Sequence, residues 1–330
     1  MLKKKLLWAC ALLVATSSFI SAESLAEDEE TSATNLEVKK DSRIIGGTKA
    51  PLGAWPSSVA LLHTDKLFEG NYEAQFCSGT IIASKWVLTA AHCVVDSDNG
   101  YVEDASSIKV LLGTSDLGRG GRREDIKRII VHPNYDYKTN DSDIALLELE
   151  YDSGILTIPV SGDDAPVRLL TKVVGWGATT TNKSVTEFPE KLHEVEIPIV
   201  SRSVCEDIYG TSEFTQNMIC AGYKQGGKDT CKSDSGGPLM GMQYGKYVQV
   251  GITSWGIGCA QPGFYGVYTR LSQFDSWINR YTGNSSNRGG GYESWSRFYT
   301  PESKGGGSLS FLLFPLSLLL LRRKIKGAVQ

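Results

Sequence analysis

The sequence predicts an all-β chain of many short strands, the pattern of barrels or sandwiches, with little helix. Two observations carry this. Short apolar or alternating runs recur between Gly, Pro, Asn and Asp residues, and only two stretches, 203–208 and 272–281, have a helical pattern. In order, the strand-like runs are 59–62, 80–82, 86–90, 108–112, 126–131 and 144–149, then 172–176, 192–200, 248–252 and 266–269. No internal repeat is visible at the level of residues.

The 330 residues suffice for one large or two modest domains, and 41% hydrophobic residues is ordinary for a globular core. Thirty-four basic against 37 acidic side chains leave a net charge of -3, which gives no reason to expect a nucleic-acid surface or a general attraction to acidic membranes. Met1-Leu2-Lys3-Lys4-Lys5, an apolar run over 6–20 and Ser21-Ala22 have the three parts of a secretory leader, so 1–22 is expected to be cleaved. Cys10 lies inside that run and leaves with it. Six cysteines then remain, an even number in an exported chain, which points to disulfides rather than metal binding. Spacing alone does not pair them.

Residues 23–43 are rich in Glu, Asp, Ser and Thr with few large apolar side chains, the composition of a segment that builds no core. They are read as a propeptide. Beyond 282, residues 283–307 include Gly289-Gly290-Gly291 and Gly305-Gly306-Gly307, the makeup of a flexible linker. An apolar tail over 308–330 follows, whose run 309–321 would span roughly 20 Å as a helix, short of the roughly 30 Å hydrocarbon core. Arg322-Arg323-Lys324 closes the run.

Three motifs carry the chemistry: Thr89-Ala90-Ala91-His92-Cys93, Asp143-Ile144-Ala145-Leu146-Leu147 and Lys232-Ser233-Asp234-Ser235-Gly236-Gly237-Pro238. Their His, Asp, Ser order and flanks resemble the chymotrypsin/trypsin family of serine proteases over about 44–281. The resemblance implies two six-stranded antiparallel β-barrels, about 44–159 and 160–270, a C-terminal helix over about 271–281, and a catalytic cleft between the barrels. It implies the pairs Cys77 with Cys93, Cys205 with Cys220, and Cys231 with Cys259. It makes Ser235 the nucleophile, His92 its base, Asp143 the group that orients His92, and Ser254 the support behind Asp143. His63, His132 and His193 lack such flanks and are read as surface or packing residues.

The backbone N–H groups of Ser233 and Ser235 match the oxyanion hole, although the family usually has glycine where Ser233 stands. Asp229 matches the floor of a trypsin-like pocket that selects Arg or Lys, with Thr230 beside it, Gly256 and Gly266 on the walls, and Ser254, Trp255 and Gly256 aligned to pair with substrate. Thr230 leaves the preference between Arg and Lys open. Arg43-Ile44-Ile45-Gly46-Gly47 resembles a zymogen activation site, where cleavage frees the Ile44 amine to insert beside Asp234.

No cofactor is expected. Tyr265 stands where tyrosine accompanies a sodium effect in some family members, and the loop with Arg119, Arg122 and Arg123 lacks the acidic ligands calcium needs. The tail resembles a GlyGly-CTERM sorting signal, implying partners in type II secretion and a rhomboid-type protease, and a place at the surface or outside of a Gram-negative bacterium; a permanent C-terminal anchor is the alternative. Membrane contact is expected through this tail alone. The resulting expectation is an exported endopeptidase acting on proteins or peptides. The rivals are a protease-like surface binding protein and a hydrolase of small esters.

Overall fold

A computed structural model describes residues 45–178, 188–231 and 233–283. The leader, the whole propeptide 23–43 with Arg43, Ile44, the linker after 283 and the apolar tail lie outside the described residues. Thirteen strands and three helices are described. They run β1 (Thr48–Lys49), β2 (Ser58–His63), α1 (Asn71–Ala74), β3 (Gln75–Ala83), β4 (Trp86–Thr89), β5 (Ile108–Leu112), β6 (Arg122–Val131) and β7 (Ala145–Leu149) in the first part. The second part contains β8 (Leu170–Gly175), β9 (His193–Pro198), α2 (Arg202–Tyr209), β10 (Met218–Ala221), β11 (Pro238–Gln243), β12 (Lys246–Trp255), β13 (Gly266–Arg270) and α3 (Asp275–Thr282).

Strands β2-β3-β4-β7-β6-β5 form a closed antiparallel barrel. Their residues are β-branched or Leu-rich and buried on the inner face, with Val59, Leu61, Ile81, Leu88, Val110 and Leu147 in one continuous core. The remaining strands form a sheet in the order β1-β9-β8-β11-β12-β13-β10. Short β1 adds a seventh strand at its edge. The other six return on themselves, because Ile199 bridges Ala221, Val200 N–H donates to Cys220 C=O at 2.9 Å and Gly222 N–H donates to Pro198 C=O at 3.0 Å. This second barrel is therefore joined at its seam by a bridge rather than a long ladder.

The chain crosses between barrels at Ile158 and Pro159. Ile158 N–H donates to Ile81 C=O of β3, whereas Pro159 C=O accepts from Gln249 of β12. An apolar cluster drawing on both barrels, with Ala60, Leu62, Leu111, Val174, Trp176 and Met240, packs one against the other. At the C-terminus the helical pattern resolves into a 3-10 turn over Leu271–Gln273 followed by α3, which ends at Gly283 in the left-handed conformation, φ 67°. Trp277 and Ile278 of α3 are buried in the core of the first barrel, so the last element returns to the first half of the chain. Among the described residues no helix is long and apolar enough to cross a membrane.

Candidate active site

His92 sits in a single 3-10 turn, Ala91–Cys93, immediately after β4, and the Cys77–Cys93 disulfide ties that turn to β3. Asp143 is delivered at the start of β7 by a tight reversal in which Ser142 has φ 55° and Ile144 N–H donates to Ser142 C=O. The two side chains meet. His92 Nδ1 lies 2.7 Å from Asp143 Oδ2, and the His92 backbone N–H donates to Asp143 Oδ1 at 2.9 Å. This double contact fixes both the ring and the carboxylate plane. Asp143 is 1% exposed and receives two further bonds from the second barrel: Ser254 Oγ donates to Oδ2 at 2.5 Å and Thr269 Oγ1 donates to its backbone C=O at 2.6 Å. A buried carboxylate that is ionised needs such partners.

Burial pushes Asp143 toward its neutral form, but the His92 charge and the hydrogen bonds from His92 and Ser254 outweigh it and hold the carboxyl below the usual range. Burial likewise disfavours charged His92, and the Asp143 charge and hydrogen bond outweigh it, raising the imidazole above its ordinary value. The result is an imidazole whose proton affinity is increased by a carboxylate partner on Nδ1.

Ser235 is anchored from both barrels. Its C=O accepts from Ser78 N–H of β3 at 2.8 Å, and the next residue, Gly236, donates to Thr253 C=O of β12 at 2.9 Å. Thr253 precedes Ser254, so adjacent residues of β12 hold the serine loop and the Asp143 carboxylate. Gly236 has φ 78°, and a Cβ there would lie 2.2 Å from Thr89 Oγ1 and 2.4 Å from Ser78 C=O, so the turn accepts no side chain. Among the described residues the Ser235 hydroxyl has no hydrogen bond to His92, a link that in unliganded sites commonly closes with substrate. Ser233 adopts φ 71°, in the left-handed region glycine favours.

Asp229 is 7% exposed and accepts from Thr230 N–H at 2.8 Å, Ala260 N–H at 2.9 Å and Thr230 Oγ1 at 3.4 Å. Burial outweighs these bonds and pushes its pKa up to about 6. The carboxylate thus lacks a counter-charge among the described residues. Gly266 forms the adjacent wall, where a Cβ would stand 2.8 Å from Asp229 Oδ1 and 2.9 Å from the Tyr268 hydroxyl. At Gly256 the nearest atoms to a Cβ, Gly258 C=O at 3.7 Å and Tyr265 C=O at 3.9 Å, are at ordinary van der Waals contact, so the backbone there would take a methyl without a clash. Ser254 and Trp255 end β12 at a bulge in its pairing with β13, and the Cys231–Cys259 disulfide closes the pocket's loops. Cys205 pairs with Cys220. Sequence reasoning passed over Tyr209, whose hydroxyl accepts from Tyr265 N–H at 2.9 Å and donates to Tyr265 C=O at 2.6 Å, steadying the residue before Gly266.

Asp234 is fully buried, accepting from Gly177 N–H at 2.7 Å and Cys231 N–H at 3.0 Å, and burial pushes its pKa up to about 7. A Cβ on Gly177 would come within 2.2 Å of its carboxylate, and one on Gly175 within 2.1 Å, so two glycines make the room it occupies. Their Gly-Trp-Gly spacing was the available signal. Ile45 C=O accepts from Asp229 N–H at 3.3 Å, which places the chain after the predicted cleavage point against the pocket. Ligand atoms of Cys77, His92 and Cys93 lie within 4.8 Å of one another, but the two sulfurs are bonded together and offer no thiolate.

Comparison with known proteins agrees with this geometry. The family model described as Trypsin matches residues 44–278. Trypsin-1 of Astacus astacus is 38% identical over 247 residues, 71% of this chain and 98% of that protein. Trypsin of Phaedon cochleariae is 37% identical, over 76% of this chain and 93% of its own length, and Trypsin 5G1 of Aedes aegypti is 35% identical, over 74% and 87%. The chain belongs to the trypsin family and is a trypsin-like serine endopeptidase.

Proposed function

We propose that this chain is an exported endopeptidase, activated by cleavage after Arg43, that hydrolyses peptide bonds following Arg or Lys. The observation that carries the specificity is Asp229, a buried carboxylate without a counter-charge among the described residues, in a pocket whose wall is Gly266. A guanidinium or ammonium supplies the missing charge and hydrogen bonds. Ser254, Trp255 and Gly256 align the substrate backbone as an added strand.

Ser235 Oγ attacks the carbonyl carbon while His92 Nε2 takes its proton, and Asp143 stabilises the imidazolium that forms. The oxygen gains negative charge and is received by the N–H groups of Ser233 and Ser235. Collapse breaks the C–N bond, the leaving amine takes the proton from His92, and the acyl group stays on Ser235. Water then attacks the ester and gives its proton to His92; the acyl C–O bond breaks, Ser235 Oγ takes that proton back from His92, and the carboxylic acid product leaves. No cofactor enters this sequence.

The buried Asp234, with its pKa at about 7, supports activation by a new amine, because an ammonium at Ile44 would supply the charge the cavity lacks. Three disulfides fit an oxidising compartment, and the leader and tail read from the sequence give the route: type II secretion to a cell surface, with the tail a substrate of a rhomboid-type protease. Incubation of the secreted protein with a biotinylated arginyl phosphonate, followed by mass spectrometry, tests the reading. Label on Ser235 in chains that begin at Ile44 is expected; label on uncut chains alone, or none, contradicts it.

A further inference from the structure

Ser233 carries a side chain yet holds φ 71°, a conformation that L-residues disfavour because Cβ crowds the backbone. Its carbonyl oxygen accepts two side-chain bonds, from Gln75 Nε2 at 3.0 Å and from Ser78 Oγ at 3.2 Å. Both donors belong to β3, in the other barrel. Three residues apart on a regular strand, Gln75 and Ser78 would face opposite sides. The register with β2 slips here, however: Leu61 pairs with Cys77 and Leu62 with Gln75, leaving Phe76 as the extra residue of a bulge. That bulge brings both side chains to one side, a common use of bulges beside active sites.

The donors are themselves fixed. The second N–H of the Gln75 amide donates to Cys77 C=O at 3.1 Å, and buried Ser78 also donates its backbone N–H to Ser235 C=O at 2.8 Å. One residue of β3 therefore grips the carbonyls of Ser233 and Ser235 together. Relaxing Ser233 to negative φ would break both bonds to its carbonyl and swing its own N–H.

We propose that Gln75 and Ser78 are positioning residues of the oxyanion hole, holding Ser233 in the left-handed conformation that aims its N–H at the developing charge. This rests on the reading of Ser235 as nucleophile. In this role both residues act through Ser233 and not by contact with substrate. A glycine takes positive φ freely, so the clamp matters most because position 233 is serine.

The test uses full-length protein processed after Arg43, with Gln75→Met, Ser78→Ala and both together, each with Ser233 intact and with Ser233→Gly. Two ligands separate pocket from oxyanion hole: benzamidine, which needs Asp229, and a peptidyl-arginine aldehyde, whose adduct with Ser235 places an oxyanion at the donors. With Ser233 intact, the double variant is expected to lose aldehyde affinity and kcat by roughly tenfold or more, while benzamidine affinity and KM change less than about twofold. With Ser233→Gly the same substitutions are expected to cost less than about threefold. Equal losses for benzamidine and aldehyde, no loss for either, or an undiminished loss with Ser233→Gly would overturn the clamp. Unsubstituted protein that neither cleaves arginyl amides nor binds the aldehyde would overturn the reading of Ser235 and the clamp with it.

Discussion

Ser254 and Asp143, 111 residues apart in sequence, are joined by a 2.5 Å hydrogen bond that runs from the second barrel to the carboxylate delivered by the first. The same carboxylate orients His92, so the base is braced through a bond made across the barrel interface. Removing the hydroxyl leaves a buried anion short of a donor.

Ser254→Ala should therefore lower kcat for an arginyl amide by roughly tenfold, the equivalent of about 1.4 kcal/mol from a lost bond to a buried charge. Benzamidine affinity, which depends on Asp229, should change little. Steady-state kinetics beside inhibitor titration separates the two.

Gly266→Ala and Gly256→Ala should differ in kind. The first puts a methyl 2.8 Å from Asp229 Oδ1 and should lower kcat/KM for Arg and Lys substrates by on the order of a hundredfold, the scale of displacing a buried charge partner. The second puts a methyl no nearer than 3.7 Å to any neighbour, ordinary contact, so thermal stability should be retained while substrate entry narrows. A melting curve showing Gly256→Ala to be the less stable of the two would contradict this.

Asp229, at about 6, and His92, above its ordinary value, should leave separate marks on pH profiles. Benzamidine binds the ionised carboxylate, so in His92→Ala its affinity should fall as pH drops below about 6 and level off above. The kcat/KM of the active enzyme needs neutral imidazole as well, and should keep rising to higher pH than the benzamidine curve. Isothermal titration and initial rates at matched pH values check both.

Under the proposed activation, Asp234 would link processing to stability. Its folded pKa in the uncut chain, about 7, lies above the ordinary 3.8, so the folded state holds a proton that the unfolded state has lost. Stability from this group is fully present below about pH 4 and declines as pH rises to about 7. An Ile44 ammonium inserted as proposed would reverse the balance by favouring the ionised carboxyl. Calorimetry of Ser235→Ala protein, cut or uncut after Arg43, should show the cut form melting several degrees higher at pH 7.5, with the gap shrinking toward pH 4.

Much of the site was legible because its chemistry is spelled in contiguous residues. The flanks of His92, Asp143 and Ser235, and Asp229 beside Cys231, carry a family pattern without reference to long-range contacts. What was not legible arises from register and approach. Strand β11 opens on Pro238 and contains Gly241, both weak strand residues, yet Pro is tolerated as the first residue and Gly241 pairs with Thr171 and Val248 on its two sides. Strand β10, Met218–Ala221, holds a single β-branched residue among Met, Cys and Ala, a weak strand signal. Thr269 looks like any strand threonine until its hydroxyl meets Asp143 C=O, and Gln75 becomes relevant through a bulge that no single strand reveals.

The most direct test of the account is amide hydrolysis by protein cleaved after Arg43, across peptides with Arg, Lys, Phe or Ala before the scissile bond, with Ser235→Ala as control. Turnover confined to Arg and Lys and abolished in the control is the predicted result. Equal turnover of Phe or Ala peptides, or no turnover by correctly processed protein, would contradict it, and the latter would favour a binding role with the barrels retained as scaffold.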